Sequence, residues 1–150
     1  LNFGDAASQD IRGAVQYLKA SGSKKVAVTG FCMGGALTVL SACNVPELDG
    51  TVVWYGYPPL ESVDAKTITK PMMAHWAMHD DFFAIAGVDQ LAAKLNEAGV
   101  QHDFYRYDAK HAFANPKSDS RGLPPLAYNE AAAKLAWDRT FTFLKQTLGQ

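Results

Sequence analysis

The residues Gly30-Phe31-Cys32-Met33-Gly34-Gly35 join an apolar, β-rich stretch to a segment of helical character, and this junction decides the fold. The motif has the form Gly-x-nucleophile-x-Gly, in which a strand turns sharply into a helix and flanking glycines prevent a clash. Such a turn lifts the central side chain to the top of a sheet and aims the following N–H, that of Met33, at an oxyanion. The motif therefore predicts a strand–turn–helix unit with Cys32 at the rim of a sheet.

Strand-like and helical segments alternate on both sides of this motif. The predicted strands are Lys24–Phe31, Gly50–Tyr57, Pro71–Met78 and Gln101–Asp108. The predicted helices are Asp5–Ala20, Gly34–Ala42, Ile85–Ala98 and Leu126–Leu148. Strands separated by helices of this length form βαβ units, so the pattern predicts an α/β fold with a parallel sheet. Ligands of open α/β sheets bind outside the carboxyl ends of the strands, so we expect the functional residues to follow the predicted strands.

The composition is that of an ordinary globular protein, with 48% hydrophobic and 19% charged residues and a net charge of -1. A chain of 150 residues suggests a single domain over 1–150. The near-zero charge argues against a nucleic-acid partner, and no apolar run is long enough to cross a membrane. No basic region followed by an apolar stretch opens the sequence, so we expect no secretory signal and a cytoplasmic location.

A nucleophilic cysteine needs a base, and the base needs an orienting group. Asp80 and Asp81 directly follow the strand that ends at Met78, and His111 follows the last predicted strand. Three strand ends thus supply a thiol, a carboxylate and an imidazole in the chain order nucleophile, acid, histidine. Asp81 is the alternative to Asp80 for the orienting carboxylate, although Asp81 could instead cap the helix that follows.

Other interpretations of these residues stay open at the level of sequence. The glycine motif also fits a tight turn around a structural cysteine. A phosphate-binding loop is a weaker alternative, because the Walker lysine and the Gly-x-Gly-x-x-Gly pattern are both absent. His75, His79 and Asp80 are conceivable metal ligands, but their spacing matches no familiar zinc motif, and we predict no metal. Cys43 lies too far along the same helix to bridge to Cys32, and we predict a core residue there.

Four segments together resemble the dienelactone hydrolases (carboxymethylenebutenolidases) of the α/β-hydrolase superfamily: Gly30–Gly35, Trp54-Tyr55-Gly56, Asp80-x-Phe82 and His111-Ala112-Phe113. The resemblance implies a truncated α/β-hydrolase-like three-layer sandwich, incomplete at the N-terminus, with a mostly parallel sheet of about four strands. It also implies that Cys32 is the nucleophile, His111 the base and Asp80 the orienting carboxylate. The implied reaction is hydrolysis of a small-molecule ester or lactone through a thioester, without a cofactor.

The resemblance extends to the groups around the triad. Met33 is expected to donate to the oxyanion, and the expected substrate-binding residues are Trp54, Tyr55, Phe82, Phe113 and Asn115. The family has an arginine at the position of Asn115, and a neutral amide cannot make the bidentate charged contact of an arginine. We therefore expect a more general ester or thioester substrate than a dienelactone carboxylate.

Several strands of the family fold, with a second oxyanion-hole donor, have no counterpart before the first helix of this chain. The Val26–Phe31 strand is then expected at an edge of the sheet, with unpaired N–H and C=O groups. We expect two chains to associate there as a homodimer. The alternative function is a non-catalytic or weakly active hydrolase-like module that dimerises or binds a partner through this edge.

Overall fold

The computed structural model describes residues 2–149 and contains a four-stranded parallel sheet in the order β1-β2-β3-β4. The strands are β1 (Ala27–Phe31), β2 (Gly50–Trp54), β3 (Met72–His79) and β4 (His102–Lys110). The helices are α1 (Phe3–Asp5), α2 (Arg12–Ala20), α3 (Met33–Asn44), α4 (Ile85–Glu97) and α5 (Glu130–Leu148). A π-helical stretch (Ala6–Ile11) joins α1 to α2. The predicted α/β fold with a parallel sheet is confirmed. Within the described residues, no helix has the length and apolar character needed to cross a membrane.

Alternating side chains of the strands bind the sheet to helices on both faces. Val53 of β2 and Trp76 of β3 are buried in one core with Leu91 of α4. Val52 of β2 is buried in a second core with Phe143 of α5. Because neighbouring residues of a strand point to opposite faces, this alternation produces the predicted three-layer sandwich.

Most element boundaries shift by a few residues from the sequence prediction, and two of the shifts have a clear local cause. β2 ends at Trp54 because Tyr55 has a φ of 35°, which takes the chain out of the extended conformation. α5 begins only at Glu130, since the side chain of Asn129 accepts a hydrogen bond from the N–H of Ala132 and caps the helix.

β1 lies at the edge of the sheet, where sequence analysis placed it, and among the described residues it pairs only with β2. Thr29 and Phe31 of this strand are exposed, although the adjacent β2 is buried along its whole length. One face of β1 therefore has less cover than the rest of the sheet.

His75, a conceivable metal ligand by sequence, instead belongs to a buried chain of hydrogen bonds. Arg139 Nη1 donates to Tyr107 Oη (3.1 Å), and this hydroxyl lies 2.9 Å from His75 Nδ1. His75 Nε2 lies 2.8 Å from Thr140 Oγ1, and that hydroxyl donates to the carbonyl of Ala136. Because the threonine proton is already committed, Nε2 carries the histidine proton and Nδ1 accepts from Tyr107. The neutral imidazole thus ties β3 to β4 and α5.

This arrangement makes the stability of the fold depend on pH. Burial, with a smaller contribution from the Arg139 charge, lowers the pKa of His75 to about 3. The unfolded chain binds a proton at this histidine below a pKa of about 6.5, so stability is present above that pH and falls as the pH drops towards 3. We expect the free energy of unfolding to lose about 1.4 kcal/mol per pH unit in this window from His75 alone.

Urea unfolding at a series of pH values, with His75→Gln beside the wild type, isolates this contribution. The variant should show a shallower loss of stability on acidification, because glutamine does not titrate. His102→Gln, at the half-buried histidine that begins β4, serves as the control and should keep the wild-type slope. Equal slopes for His75→Gln and the wild type would contradict the prediction.

Candidate active site

Cys32 occupies a strained turn between β1 and α3. Its backbone angles are φ 57° and ψ -117°, a region that residues with a Cβ rarely adopt. Its N–H donates to the carbonyl of Trp54 (3.0 Å), and its own carbonyl accepts from the N–H of Gly35 (2.9 Å). Met33, the first residue of α3, has no acceptor for its N–H within the helix, so that donor is available beside the thiol.

Glycines allow the neighbouring backbone to approach this turn closely. A Cβ at Gly30 would overlap the carbonyl oxygen of Gly34, and one at Gly56 would overlap the carbonyl oxygen of Cys32. A Cβ at Gly35 would come within 2.8 Å of the carbonyl oxygen of Trp54. Steric exclusion thus explains Gly30 and Gly35 of the sequence motif, whereas a Cβ at Gly34, the glycine two residues after Cys32, would have no neighbour within 4 Å.

Gly56→Ala is expected to destabilise the protein by about 3 kcal/mol or more, because the new methyl group meets backbone that cannot move aside. Gly13→Ala in α2 is the matched control, since a Cβ there has no neighbour within 4 Å. That change should stabilise the helix by roughly 0.5–1 kcal/mol. Urea unfolding of the two variants measures both effects, and a Gly56→Ala protein as stable as the wild type would refute the steric argument.

A buried carboxylate–imidazole pair lies at the ends of β3 and β4. His111 Nδ1 donates to Asp80 Oδ2 at 2.7 Å, and both residues are more than nine-tenths buried. The other oxygen, Oδ1, accepts from the N–H groups of Phe82 and Phe83, each at 2.8 Å. Asp80 is therefore fixed through both oxygens, while Asp81 is exposed, and this distinguishes the two carboxylates that the sequence left as alternatives.

Aromatic rings enclose the imidazole and set its plane. The Tyr55 ring meets it edge-on with 5.2 Å between centroids, and the Phe83 ring stacks on it at 5.6 Å. Phe82 contributes a third ring at 4.9 Å. With Nδ1 bound to Asp80, this enclosure leaves Nε2 as the nitrogen that can exchange a proton with a partner in the site.

One cavity of about 610 Å³ brings the predicted site residues together. It is lined by Cys32 and His111 and, among the predicted substrate-binding residues, by Tyr55, Phe82 and Asn115. Both residues line this cavity, although the described residues show no hydrogen bond between Cys32 Sγ and His111. A volume of this size is typical of sites for small molecules.

Trp54 and Phe113 do not line this cavity, and the expectation that they contact substrate is corrected. Both side chains are fully buried. The Trp54 indole donates to Thr29 Oγ1 (3.1 Å), and the Phe113 ring packs against Tyr55 and Tyr107. They support the cavity wall from behind.

Sequence analysis did not predict the other residues of the wall, among them Phe31, Arg121 and Trp137. Phe31 lies inside the glycine motif, next to Cys32, and that adjacency was an available signal. Arg121 and Trp137 lie on the loop after His111 and on α5, where nothing in the sequence indicates which residues face the site.

Neither His75 nor His79 joins a metal cluster with Asp80. His79 is exposed, and its Nε2 lies 2.6 Å from Asp108 Oδ1, while His75 points into the core. Within residues 2–149 no group of three or more histidine, cysteine, aspartate or glutamate side chains is arranged to hold a metal ion.

The backbone strain of the described chain concentrates at this cavity. Cys32, Tyr55 and Ala112 are its three non-glycine residues with positive φ, at 57°, 35° and 59°. All three line the cavity. Strain of this kind costs roughly 1–3 kcal/mol per residue and is found mainly where a site requires it.

A parallel sheet with a strained cysteine turn after one strand, and an Asp–His pair at the ends of two later strands, defines an α/β-hydrolase fold. Two solved structures share this fold. One is a dienelactone hydrolase-like promiscuous phosphotriesterase from metagenomic libraries, with a TM-score of 0.83 at 23% identity over 98% of this chain and 62% of that chain. The other is an alpha/beta hydrolase enzyme from a deep-sea metagenome library, with a TM-score of 0.74 at 22% identity over 94% of this chain and 64% of that chain.

The chain belongs to the dienelactone hydrolase family, whose model matches residues 2–148. It is 34% identical over 142 residues to the protein named usf of Aquifex pyrophilus, with 91% of this chain and 59% of that protein covered. It is also 34% identical over 139 residues to a Saccharolobus solfataricus protein provisionally named carboxymethylenebutenolidase, with 92% and 51% covered. The chain thus spans little more than half the length of these curated relatives.

Proposed function

We propose that the chain hydrolyses a carboxylic ester or lactone with Cys32 as nucleophile, His111 as base and Asp80 as orienting carboxylate. One observation carries the proposal: the strained Cys32 turn and the imidazole fixed by Asp80 open into the same cavity. The remaining residues of the wall are mainly apolar and suit the carbon skeleton of a small ester.

The first half of the reaction forms a thioester. His111 Nδ1–H donates a hydrogen bond to Asp80 and keeps its proton, so Nε2 is unprotonated and can take the thiol proton once rotation of the Cys32 side chain brings Sγ to it. The thiolate attacks the carbonyl carbon, and the carbonyl electron pair moves to oxygen, which the Met33 N–H stabilises. The intermediate collapses as the C–O bond breaks. The leaving alkoxide takes the proton from His111, and the acyl group stays on Cys32.

The second half releases the acid. His111 Nε2 takes a proton from water, and the hydroxide formed attacks the thioester carbonyl. The C–S bond breaks, the proton returns from His111 to the sulfur, and the carboxylic acid leaves. Asp80 holds the imidazole in one orientation through both halves, which is why its two oxygens are both committed.

Selective labelling and trapping test this assignment together. Iodoacetamide should alkylate Cys32 well before Cys43, because Cys32 lines an open cavity whereas burial raises the pKa of the Cys43 thiol. Mixing with p-nitrophenyl acetate should place an acetyl group on the Cys32 peptide, seen by mass spectrometry after an acid quench. Equal labelling of the two thiols, with no acetylated peptide, would overturn the proposal.

A free thiol of this kind persists in a reducing compartment, and we propose a cytoplasmic location on that ground. Cell fractionation with an antibody to the protein measures it directly.

We also propose that two copies associate through the β1 edge. Thr29 and Phe31 are exposed on this strand, and Phe141 of α5, with 62% of its surface exposed, continues the apolar surface through Trp137. Strand edges of this type pair readily with another chain. Light scattering should give twice the monomer mass, and Phe31→Lys should halve it. A wild-type monomer at high concentration contradicts the dimer and leaves the hydrolase proposal intact.

A further inference from the structure

The turn of residues 81–84, between β3 and α4, fixes Asp80 and has few anchors of its own. Most of its residues are exposed, and two of its N–H groups donate to Asp80 Oδ1. Within residues 2–149, one hydrogen bond joins this turn to a distant part of the chain: Tyr57 Oη donates to the carbonyl of Ala84 at 2.8 Å. The placement of the N–H groups that orient Asp80 therefore depends on Tyr57.

The half-buried ring of Tyr57 holds the same turn by packing. It meets the ring of Phe83 edge-on with 5.5 Å between centroids, and Phe83 in turn stacks on the imidazole of His111. Gly87, in the first turn of α4, makes room for the phenol, because a Cβ there would overlap Tyr57 Oη. Burial and, to a smaller extent, the charge of Asp80 raise the pKa of Tyr57, so the hydroxyl keeps the proton that it donates.

Tyr57 belongs to a short segment that contacts all three parts of the proposed triad. The carbonyl of Trp54 accepts from the N–H of Cys32 (3.0 Å), and the ring of Tyr55 meets the imidazole edge-on. Tyr57 adds the third contact, to the turn that fixes Asp80. Since Tyr57 does not line the cavity, it can influence the site only through the residues that it holds.

We propose that Tyr57 is a positioning residue, whose hydrogen bond to Ala84 fixes the turn that orients Asp80 and, through Asp80, the imidazole of His111. The inference rests on the proposed hydrolase function and adds a residue to its machinery. Without the phenol hydroxyl, the turn shifts and the Asp80–His111 geometry loosens. Because small misplacements of a reacting group cost much of the rate, the chemical step slows, whereas substrate binding does not involve Tyr57.

Tyr57→Phe tests this role by removing one oxygen and keeping the ring. Its kcat for p-nitrophenyl acetate should fall about tenfold with KM little changed. Tyr107→Phe is the matched control, because it removes another phenol hydrogen bond, to His75, in the core against α5. It should lower stability and leave kcat unchanged. Gly87→Ala should also lower kcat, since the new methyl group displaces the phenol, and should have no effect in a Tyr57→Ala background.

Two further measurements do not need turnover. The Nδ1 proton of His111, held 2.7 Å from Asp80 in heavy-atom distance, should give a downfield proton NMR signal that exchanges slowly with water. In Tyr57→Phe this signal should broaden or disappear, and the two amides that bind Asp80 should exchange severalfold faster. Both should stay unchanged in Tyr107→Phe.

The outcomes separate this role from the hydrolase proposal. A wild-type kcat and wild-type signals in Tyr57→Phe overturn the positioning role, and so do equal losses of kcat in Tyr57→Phe and Tyr107→Phe. Altered signals in Tyr57→Phe, in a protein that hydrolyses no ester, support the positioning of Asp80 by Tyr57 and reject the hydrolase.

Discussion

Cys32→Ala is expected to lower kcat/KM for p-nitrophenyl acetate by a factor of about 10⁴ or more, because the covalent route disappears with the sulfur. The residual rate would come from the Met33 N–H and from binding alone, which do not replace a nucleophile. Cys32→Ser is expected to be almost as inactive. Its hydroxyl is a much weaker nucleophile than a thiol.

Cys43→Ala is the matched control, since it removes the other thiol from the same helix. It should keep the wild-type rate within about a factor of two, apart from any small change in stability caused by the lost packing. Circular dichroism and urea unfolding establish that each variant is folded. Esterase activity that survives Cys32→Ala in a folded protein would show that the chemistry lies elsewhere.

Asp80→Asn should reduce kcat about 10⁴-fold, the effect of presenting the wrong tautomer of the histidine to the nucleophile. The amide group donates as well as accepts, so it does not hold the Nδ1 proton of His111 as a carboxylate does. It also cannot stabilise the imidazolium that forms when the thiol loses its proton. Steady-state kinetics over a range of p-nitrophenyl acetate concentrations separates the effect on kcat from that on KM.

Asp81→Asn controls for the loss of a negative charge at the same turn, because Asp81 is the exposed neighbour of Asp80. We expect its kcat to stay within a factor of about two of the wild type. Similar losses in the two variants would mean that general electrostatics at the end of β3, and not the Asp80–His111 hydrogen bond, support the activity.

The Cys32 turn and the order of the three polar groups could be predicted from sequence because they depend on local sterics and on parallel topology. Gly30, Gly35 and Gly56 lie where a Cβ would meet backbone, and such exclusion is visible in a short motif. The carboxyl ends of parallel strands share one rim, so Asp80 and His111 were expected near each other. The 2.7 Å bond between them fits that expectation.

Side-chain direction at the cavity could not be predicted, because it depends on small departures from regular strands. Trp54 is the last residue of β2 and points into the core, while Tyr55, with positive φ, turns into the cavity. An alternation rule applied to the motif cannot separate these neighbours. The presence of Arg121 and Trp137 in the cavity wall could not be predicted for another reason, because their positions depend on how the loop and α5 pack on the sheet.

The residues that line the cavity come from two separate parts of the chain. Cys32 and His111 come from the sheet, whereas Asn115, Ser118 and Arg121 come from one segment after His111 whose hydrogen bonds are mostly internal. Transplanting that segment between homologues should therefore exchange substrate preference while the reaction stays the same. Under the proposed function, natural variants have the same freedom, so new preferences can evolve in this segment without remodelling the scaffold that carries the proposed nucleophile and base.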